Sequence, residues 1–252
     1  MDISEKYIFF LATEENEQDN RNTFKNVVAE IGSCFSVLKT IAAGNRKLSK
    51  IATVMNVKQT SLSKYLSVLS ELDLIEREVP ITEENPEKSK KGLYFIKDNF
   101  IKFWFRFIYP YKGMLENNQD EFVLDKIRNY FIDNHVAYVY EDICRQAMWK
   151  WNGKGISFNR VGRWWGKSDV EIDIVSYDSM GLDIVFGECK YSVNPKGMEV
   201  LWGLQEKADA VDWKKKERKE YYILFSRAGF TKELKKYAEG CENVWLVAFP
   251  GL

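Results

Sequence analysis

Apolar side chains recur at helical spacing in three consecutive segments of the N-terminal half. The first segment predicts a helix over residues 24–43, followed by Gly44, a residue type that commonly ends helices. The next two predict shorter helices joined by a turn at residues 56–59, where Thr60 or Ser61 can cap the third helix. The apolar positions of these two helices are Leu48, Ile51, Ala52, Met55, Leu62, Tyr65, Leu66, Leu69 and Leu72. This arrangement is typical of a helix-turn-helix.

Two short extended segments follow, at residues 74–79 and 93–96, and predict the two strands of a wing. The polar connection between them carries several lysines, and polar side chains also occupy the outward positions of the third helix. Such side chains can contact phosphates or base edges. A winged helix used only for protein packing is the alternative, because nearby acidic residues weaken the positive field. The residues that we expect to bind DNA here are Lys58, Ser61, Lys64, Lys88, Lys90 and Lys91.

The next segment, residues 98–110, is dense in aromatic side chains, which usually indicates burial. We interpret it as a core helix that joins two domains, with a base-stacking platform as the alternative. A polar break at residues 113–121 then marks the boundary. The predicted organisation is a polar segment at 1–23, a winged-helix domain at 24–112 and an α/β domain at 113–252.

The C-terminal half alternates between strand-like and helix-like patterns. The order α-β-β-β-α-β-α-β predicts an α/β sandwich around a mixed sheet. The predicted elements are 129–147, 155–160, 170–176, 182–190, 196–212, 221–226, 231–237 and 244–249, with a loop at 162–166. In the helix at 196–212, the positions that face the sheet are Val200, Leu201, Leu204, Lys207 and Ala208.

Charged side chains interrupt two of these apolar strands. Strand alternation places Asp173 on the face opposite to Ile172 and Ile174, and it places Glu188 and Lys190 together on one face. Bringing carboxylates into a poorly solvated place is costly unless a cation compensates them. The pattern therefore indicates a site for a hard cation, with a lysine beside it.

Composition narrows the possibilities further. The chain has 252 residues with 37 basic and 37 acidic side chains, so net charge gives no bias toward nucleic acid. Four isolated cysteines and one histidine argue against a structural zinc site and against disulfides, which favours a cytoplasmic protein. No apolar run has membrane-spanning length, so we expect no membrane insertion.

The spacing of Glu141, Asp173 and Glu188-x-Lys190 on successive elements resembles the PD-(D/E)xK nuclease fold of restriction and repair enzymes. Over residues 25–250, the chain resembles the C-terminal region of archaeal-type ATPases with a DUF234 domain. The matching features are the winged helix, the aromatic segment and the run from Gly162 to Lys190. No GxxxxGK[ST] phosphate loop occurs, so we expect no ATP binding. The chain would act alone or with a separate ATPase; a truncated product with little independent role is a further possibility.

This resemblance implies specific roles at the acidic strands. Asp173 and Glu188 would bind Mg²⁺ or Mn²⁺ together with the backbone carbonyl of Cys189. Glu141 would be a further ligand, directly or through water, and Lys190 would orient the attacking water. The alternative is an ion pair between Lys190 and either carboxylate that only fixes the sheet register.

The predicted loop before the acidic strands contains Arg163 and Trp164, which could grip a phosphate and stack on a base. Packing of a tryptophan under the sheet is the alternative. The expected function is a DNA-binding protein with a divalent-metal-dependent nuclease domain. The second hypothesis is a non-catalytic DNA-binding or protein-interaction module that retains the nuclease fold.

Overall fold

The computed structural model describes residues 17–167 and 170–248, which form two compact units. The first unit comprises the chain up to Arg77 together with Leu93–Pro110, and the second comprises Glu78–Gly92 and the chain from Tyr111 onward. Residues 1–16 of the predicted N-terminal segment, and Phe249 of the last predicted strand, lie outside the described residues. No helix within the two described ranges is long and apolar enough to cross a membrane.

The first unit begins with three helices followed by a two-stranded sheet. Asn56 ends the second helix in the left-handed conformation (φ 54°), which asparagine adopts more readily than most residues. Ile51 and Leu62 are fully buried in a core to which all three helices and both strands contribute. The elements are α1 (Glu17–Ala42), α2 (Leu48–Met55), α3 (Gln59–Glu71), β1 (Ile75–Glu78) and β2 (Leu93–Ile96).

Helix α1 begins earlier than its apolar pattern predicts. That pattern indicates a start near residue 24, after a polar linker, whereas the helix extends back to Glu17. The residues from 17 to 23 include no glycine or proline, and glutamate, glutamine and arginine are good helix formers. Polarity alone is therefore a poor signal for a loop at this place.

The aromatic segment is helical but only partly buried. Helix α4 (Asn99–Phe103) is capped at its N-terminus by Asp98, whose side chain accepts a hydrogen bond from the Ile101 N–H at 2.7 Å. It continues as a wider helical turn, Trp104–Ile108, in which Phe105 is 6% exposed. The Trp104 ring lies 5.9 Å from that of Phe35 in α1, edge to face. Phe100, by contrast, is 70% exposed, so the segment is not buried throughout as expected.

The second unit is a mixed five-stranded sheet with helices on both faces. The strand order is β3-β4-β5-β6-β7, antiparallel from β3 to β5 and parallel from β5 to β7. The predicted mixed sheet is confirmed, and the order α-β-β-β-α-β-α-β is found from α7 onward. The elements are α5 (Lys112–Glu116), α6 (Asp120–Phe131), α7 (Ala137–Ala147), β3 (Arg160–Trp165), β4 (Glu171–Tyr177), β5 (Asp183–Lys190), α8 (Met198–Ala208), β6 (Lys219–Ser226), α9 (Lys232–Glu239) and β7 (Val244–Ala248).

The local secondary structure of two segments in this unit differs from the predicted pattern. The expected polar break at residues 113–121 contains α5 and the start of α6, and α6 runs into α7 through one wide turn, Ile132–Val136. The expected strand at 155–160 is not a strand; the expected loop after it forms β3 instead. β3 is a strand because its backbone pairs with β4, with Trp164 opposite Ile172, and because its two tryptophans suit a pleated surface.

The two faces of the sheet are covered by different helices. On one face, Leu201 and Leu204 of α8 pack with Phe186, and Leu234 of α9 belongs to the same cluster. On the other face, Cys144 of α7 packs with strand residues that include Val185, Ile223 and Phe225. Residues of β5 therefore alternate between an α8 face and an α7 face, and this alternation decides where each charged side chain of the strand points.

The connection between β1 and β2 contributes to the edge of this sheet. The Ile81 N–H donates to the Arg163 carbonyl at 2.9 Å, and the Tyr177 hydroxyl donates to the Ile81 carbonyl at 2.9 Å. The Ile81 side chain lies so close to Gly162 that a Cβ there would be 2.8 Å from its Cδ1 atom. Residues 78–92 thus include a segment that lies alongside β3, and they are more than the polar wing tip that the sequence suggests.

Gly187 permits the close approach of the central strands, which gives a prediction about stability. A Cβ at Gly187 would lie 2.8 Å from the Ile174 Cβ and 3.1 Å from the Ile223 Cγ2. These neighbours are buried and cannot move away freely, so we expect Gly187→Ala to destabilise the protein by about 1–3 kcal/mol. Urea unfolding followed by tryptophan fluorescence measures the change.

Gly203→Ala is the matched control for this prediction. Gly203 lies inside α8 with no neighbouring atom within 4 Å of an added Cβ. Alanine is favoured over glycine in a helix interior by about 0.5–1 kcal/mol, so this variant should be slightly stabilised. If Gly187→Ala were as stable as Gly203→Ala, the central strands would be less tightly packed than described.

Candidate functional site

Asp173 and Glu188 meet where the β4–β5 ladder ends. Ile174 pairs with Gly187 in the antiparallel register, so one further step places Asp173 opposite Glu188. Cross-strand neighbours of this kind bring their side chains within a few ångströms of each other. The sequence prediction that these two carboxylates come together therefore has a direct structural counterpart.

A β-bulge redirects β4 at this position. Between the pairs Gly162–Val175 and Trp164–Ile172 the β3–β4 register shifts, so that β4 has the extra residue opposite Arg163. Ile172 accordingly packs in the α8-face cluster, whereas Ile174 packs in the α7-face cluster. The predicted placement of Ile172 and Ile174 on one face is therefore wrong. Bulges of this kind often re-aim a side chain next to a functional site.

The Asp173 carboxylate lies inside the unit and is electrostatically strained. Its Oδ2 accepts a hydrogen bond from the Cys189 N–H at 2.8 Å. Burial, followed by the like charge of Glu188, raises the pKa of Asp173 to about 6. The hydrogen bond from Cys189 and the two nearby lysines, Lys190 and Lys207, oppose this rise without cancelling it.

Glu188 is the more buried carboxylate and is held by two ammonium groups. The residue is 5% exposed, and its Oε1 accepts from Lys190 Nζ at 2.7 Å. This contact confirms that Glu188 and Lys190 share a face of β5. Lys207 Nζ lies 2.9 Å from both carboxylate oxygens. Burial tends to lower the pKa of Lys190, but the Glu188 carboxylate outweighs burial and the net shift is upward.

Lys207 is a site residue that the sequence motif does not include. Its predicted position on the sheet-facing stripe of α8 nevertheless indicates that it has a role in the site. A charged side chain among apolar neighbours such as Leu204 and Ala208 needs a partner of opposite charge, because an unpaired buried charge is costly. Glu188, which is the buried acid on the facing strand, is that partner.

Arg163 organises a second charged cluster on the β3 edge. Its side chain is 12% exposed, and the guanidinium contacts Glu78 at 3.3 Å, Glu141 at 3.5 Å and Asp142 at 2.9 Å. Glu141 therefore lies in an ion-pair network with Arg163, and its role as a metal ligand stays a prediction. Sequence reasoning does not find this cluster, because Glu78 is distant in sequence and the segment around Arg163 has the pattern of a loop.

Arg145 connects this second cluster to Asp173. It forms an ion pair with Asp142, one turn away on α7, and its Nη1 donates to the Asp173 carbonyl at 3.4 Å. Burial and then the neighbouring charge of Arg163 lower the pKa of Arg145. Arg145 on α7 thus binds the backbone of the bulge, while Lys190 and Lys207 contact the Glu188 carboxylate.

The donor set fits a hard divalent cation in part. Within residues 17–167 and 170–248 no group of three or more His, Cys, Asp or Glu side chains could hold a metal ion. Mg²⁺, however, commonly uses one or two carboxylates and keeps several waters. Asp173 and Glu188 can supply two oxygen ligands, and the raised pKa of Asp173 indicates a charge that a cation would relieve. The Cys189 carbonyl is adjacent in sequence, whereas the Cys189 side chain is buried on the α7 face with Cys144.

The residues predicted to bind DNA differ in their surroundings. Lys64 forms an ion pair with Glu30, and Lys91 pairs with Glu83 at 3.0 Å. Trp164 is 7% exposed and its Nε1 donates to Thr82 at 3.1 Å, so its ring is not available for base stacking. We therefore leave Trp164, and Arg163 with its three carboxylate partners, out of the proposed DNA surface. Lys58, Ser61, Lys88 and Lys90 are exposed, and Lys64 and Lys91 are exposed as well but are paired with acids.

Comparison with known proteins identifies a shared region of unknown function. The DUF234 family model, described as archaea bacterial proteins of unknown function, matches residues 104–201. An uncharacterized protein of Methanocaldococcus jannaschii is 35% identical over 158 residues, which are 62% of this chain and 35% of that relative. The match thus spans about a third of the relative's length. The DUF234 part of the predicted resemblance is confirmed for the matched residues, which include Asp173, Glu188 and Lys190.

A solved structure is also similar over part of the chain. It is the crystal structure of a protein of unknown function, AF1548, with 20% sequence identity and a TM-score of 0.33. The similarity covers 45% of this chain and 58% of that one. A TM-score of this size does not establish a common fold.

The strained charge of Asp173 predicts a pH-dependent stability difference. Because the pKa of about 6 in the folded state lies above the ordinary value of 3.8, ionised Asp173 destabilises the fold above pH 6. This destabilisation disappears as the pH falls toward 4. Asp173→Asn keeps an acceptor for the Cys189 N–H, so at pH 8 without metal we expect it to be more stable than the parent by about 1–3 kcal/mol.

Urea unfolding of parent and variant at pH 8 and pH 4.5 measures this difference. The gain from Asp173→Asn should be large at pH 8 and small at pH 4.5. Asp212→Asn, which removes an exposed carboxylate of the same unit, is expected to change stability little at either pH. An equal gain for Asp173→Asn at both pH values would contradict the proposed electrostatic strain.

Proposed function

We propose that this protein binds DNA through a winged helix formed by its first unit, and hydrolyses phosphodiester bonds through a PD-(D/E)xK-type site in its second unit. The observation that carries the proposal is the meeting of a buried carboxylate (Glu188), a half-buried one (Asp173) and two lysines at the end of β4 and β5. A helix precedes these strands and another follows them, in the order that the nuclease fold requires. The bulge beside Asp173 adds support, because it directs that carboxylate toward the end of β5.

Each residue would have a distinct role in this mechanism. Asp173 and Glu188 would hold Mg²⁺ or Mn²⁺ with the Cys189 carbonyl. When bound, the ion would lower the pKa of a water molecule and offset the charge of the scissile phosphate. Lys190 is 39% exposed in its side chain, so its ammonium can reach both Glu188 and a water or phosphate outside the strand. Glu141 would act indirectly, by holding Arg163 at the bulge.

The first unit would supply most of the affinity for duplex DNA. Helix α3 follows a short turn after α2, and Lys58 and Ser61 are exposed at its N-terminal end. Backbone N–H groups at a helix N-terminus favour phosphate contacts. Lys88 and Lys90, in the connection between β1 and β2, belong to the second unit and would add exposed positive charge. Contacts of these types bind the DNA backbone with little sequence preference.

The nuclease proposal predicts that metal binding and cleavage depend on different residues. Mn²⁺ should raise the melting temperature of the parent, because an ion that binds the folded state stabilises it. Asp173→Asn and Glu188→Gln should lose this stabilisation and also lose nicking of supercoiled plasmid DNA. Lys190→Ala should keep the metal-induced stabilisation and lower the cleavage rate by about 100-fold or more, because the lysine acts on water and phosphate.

Asp212→Asn serves as the matched control and should cleave like the parent. Differential scanning fluorimetry with Mn²⁺ and a plasmid nicking assay provide the two measurements. Metal-induced stabilisation without cleavage would indicate a scaffold, or an enzyme that requires a separate ATPase. If the parent neither bound metal nor cleaved DNA, the nuclease proposal would fail.

The DNA-binding proposal is tested separately. We expect the parent to bind a duplex oligonucleotide with an affinity that falls steeply as salt rises, since binding releases counterions. The triple variant Lys58→Ala, Lys88→Ala, Lys90→Ala should bind more weakly, and its salt slope should be smaller by about one for each phosphate that a lysine no longer neutralises. Lys112→Ala removes one exposed lysine that pairs with Glu116 and serves as the control. Fluorescence anisotropy across a salt series measures both; an unchanged slope in the triple variant would refute the proposal.

One observation favours a non-catalytic module as a second candidate. Both oxygens of Glu188 already have ammonium partners, so the acid is compensated without a metal. Such an ion-pair cluster can by itself fix the ends of β5 and α8. The metal-binding measurement separates the two candidates, because a purely structural cluster has no reason to take up a divalent ion.

A further inference from the structure

The position of Lys207 is fixed by the packing of α8. Leu201, Leu204 and Ala208 of this helix are buried against the sheet at no more than 1% exposure. Lys207 lies on the same side of the helix, and its Nζ is equidistant, at 2.9 Å, from the two oxygens of Glu188. The contact is therefore bidentate, and it joins the last turn of α8 to the end of β5.

The end of the helix is itself anchored, so that Lys207 is held close to the carboxylate. The buried guanidinium of Arg218 donates to the carbonyls of Ala208 at 2.9 Å and Trp213 at 3.0 Å. It also lies over the Phe186 ring, with 5.2 Å between the guanidinium carbon and the ring centroid. The backbone of the last helical turn is thus fixed, while the four-carbon stem of Lys207 allows its ammonium to move. The Lys207 side chain is 34% exposed, so other anions can reach it.

Glu188 has no carboxylate oxygen without an ammonium partner. Oε1 accepts from both Lys190 and Lys207, and Oε2 accepts from Lys207. Three of the four acceptor positions of the carboxylate thus hold N–H donors, and a divalent cation at the remaining position on Oε2 would lie against the Lys207 ammonium, whose like charge repels it. Metal and Lys207 must therefore compete for Glu188.

The net charge of the cluster indicates which ligand would allow metal to bind Glu188 in place of Lys207. Two carboxylates, Asp173 and Glu188, face two ammonium groups, Lys190 and Lys207. A divalent ion added to this neutral set would leave two excess positive charges in a poorly solvated place, which is costly. An incoming phosphodiester anion would offset part of that charge, and it could take the ammonium of Lys207 as its partner.

We propose that Lys207 is an exchangeable counter-cation, which occupies Glu188 in the metal-free protein and transfers to a nucleic-acid phosphate when a divalent ion binds. The inference rests on the proposed function and adds a form of regulation to the same site. Metal and nucleic acid then bind with positive coupling, and this coupling is reciprocal by thermodynamic linkage. The site would therefore bind metal more weakly without DNA than with it.

The test compares Mn²⁺ affinity with and without DNA in the full chain. Isothermal titration calorimetry with Mn²⁺ is carried out alone and with a short duplex of hydrolysis-resistant phosphorothioate linkages. In the parent, we expect the duplex to tighten Mn²⁺ binding by about fivefold or more. In Lys207→Gln, Mn²⁺ should bind about tenfold more tightly than in the parent without DNA, and the duplex should add little.

Two further variants keep the interpretation clear. Lys207→Arg retains the positive charge, so its metal affinity without DNA should stay close to that of the parent. Lys235→Gln removes an exposed lysine from α9 and corrects for the change in net charge; its Mn²⁺ affinity and coupling should match those of the parent. If the glutamine variant of Lys207 proves poorly folded by circular dichroism, the duplex-induced change in Mn²⁺ affinity of the parent and of Lys207→Arg still tests the coupling.

The outcomes distinguish the counter-cation inference from the nuclease proposal. If parent and Lys207→Gln bind Mn²⁺ with equal affinity, or if the duplex does not tighten binding to the parent, the counter-cation inference is overturned and the nuclease proposal stands. If neither protein binds Mn²⁺ under any condition, both are overturned. The inference is supported if the duplex tightens Mn²⁺ binding to the parent, and if Lys207→Gln binds Mn²⁺ more tightly than the parent without DNA but gains little from the duplex.

Discussion

The buried carboxylate of Glu188 is the constraint on which the charged end of the sheet depends. Burying a carboxylate at 5% exposure is costly unless opposite charge lies in direct contact with it. One ammonium comes from Lys190 on the same strand and the other from Lys207 on α8. The second contact requires the last turn of α8 to lie over the end of β5. Arg218 holds the end of that turn by donating to the Ala208 carbonyl, so that Lys207 stays within reach of the acid.

Much of the second unit could be predicted because its strands are apolar and its helices amphipathic. The order of elements follows from that pattern, and so does the meeting of Asp173 with Glu188, since consecutive antiparallel strands place their facing ends together. The bulge could not be predicted. An extra residue in β4 leaves no mark in the alternation of side chains, and it alone separates Ile172 from Ile174. Lys207 could have been found, because a charge in an apolar helical stripe requires a partner.

The segment between β1 and β2 shows why a linear division of the chain into domains is incomplete. Its polar sequence suggests a solvated wing tip, yet the Ile81 N–H bonds to the Arg163 carbonyl beside the bulge. Ile81 fits against Gly162, where the absence of a side chain admits it. Glu78, at the start of the same segment, contributes a carboxylate to Arg163. Contacts between residues so far apart in sequence carry no local signal, and for this reason neither the strand character of β3 nor the Arg163 cluster could be predicted.

The two charged clusters of the second unit differ in a way that suits them to different tasks. Arg163 and Arg145 present planar guanidinium groups that make several directed contacts at once, which favours a fixed architecture. Lys190 and Lys207 carry compact ammonium groups on flexible stems, which can exchange one anion for another without movement of the backbone. The arginines hold the bulge from the β3 edge and α7, and the lysines neutralise the carboxylates that the bulge brings together. Chemistry that exchanges metal, water and phosphate therefore fits the lysine cluster, while the arginine cluster keeps Asp173 in place for it.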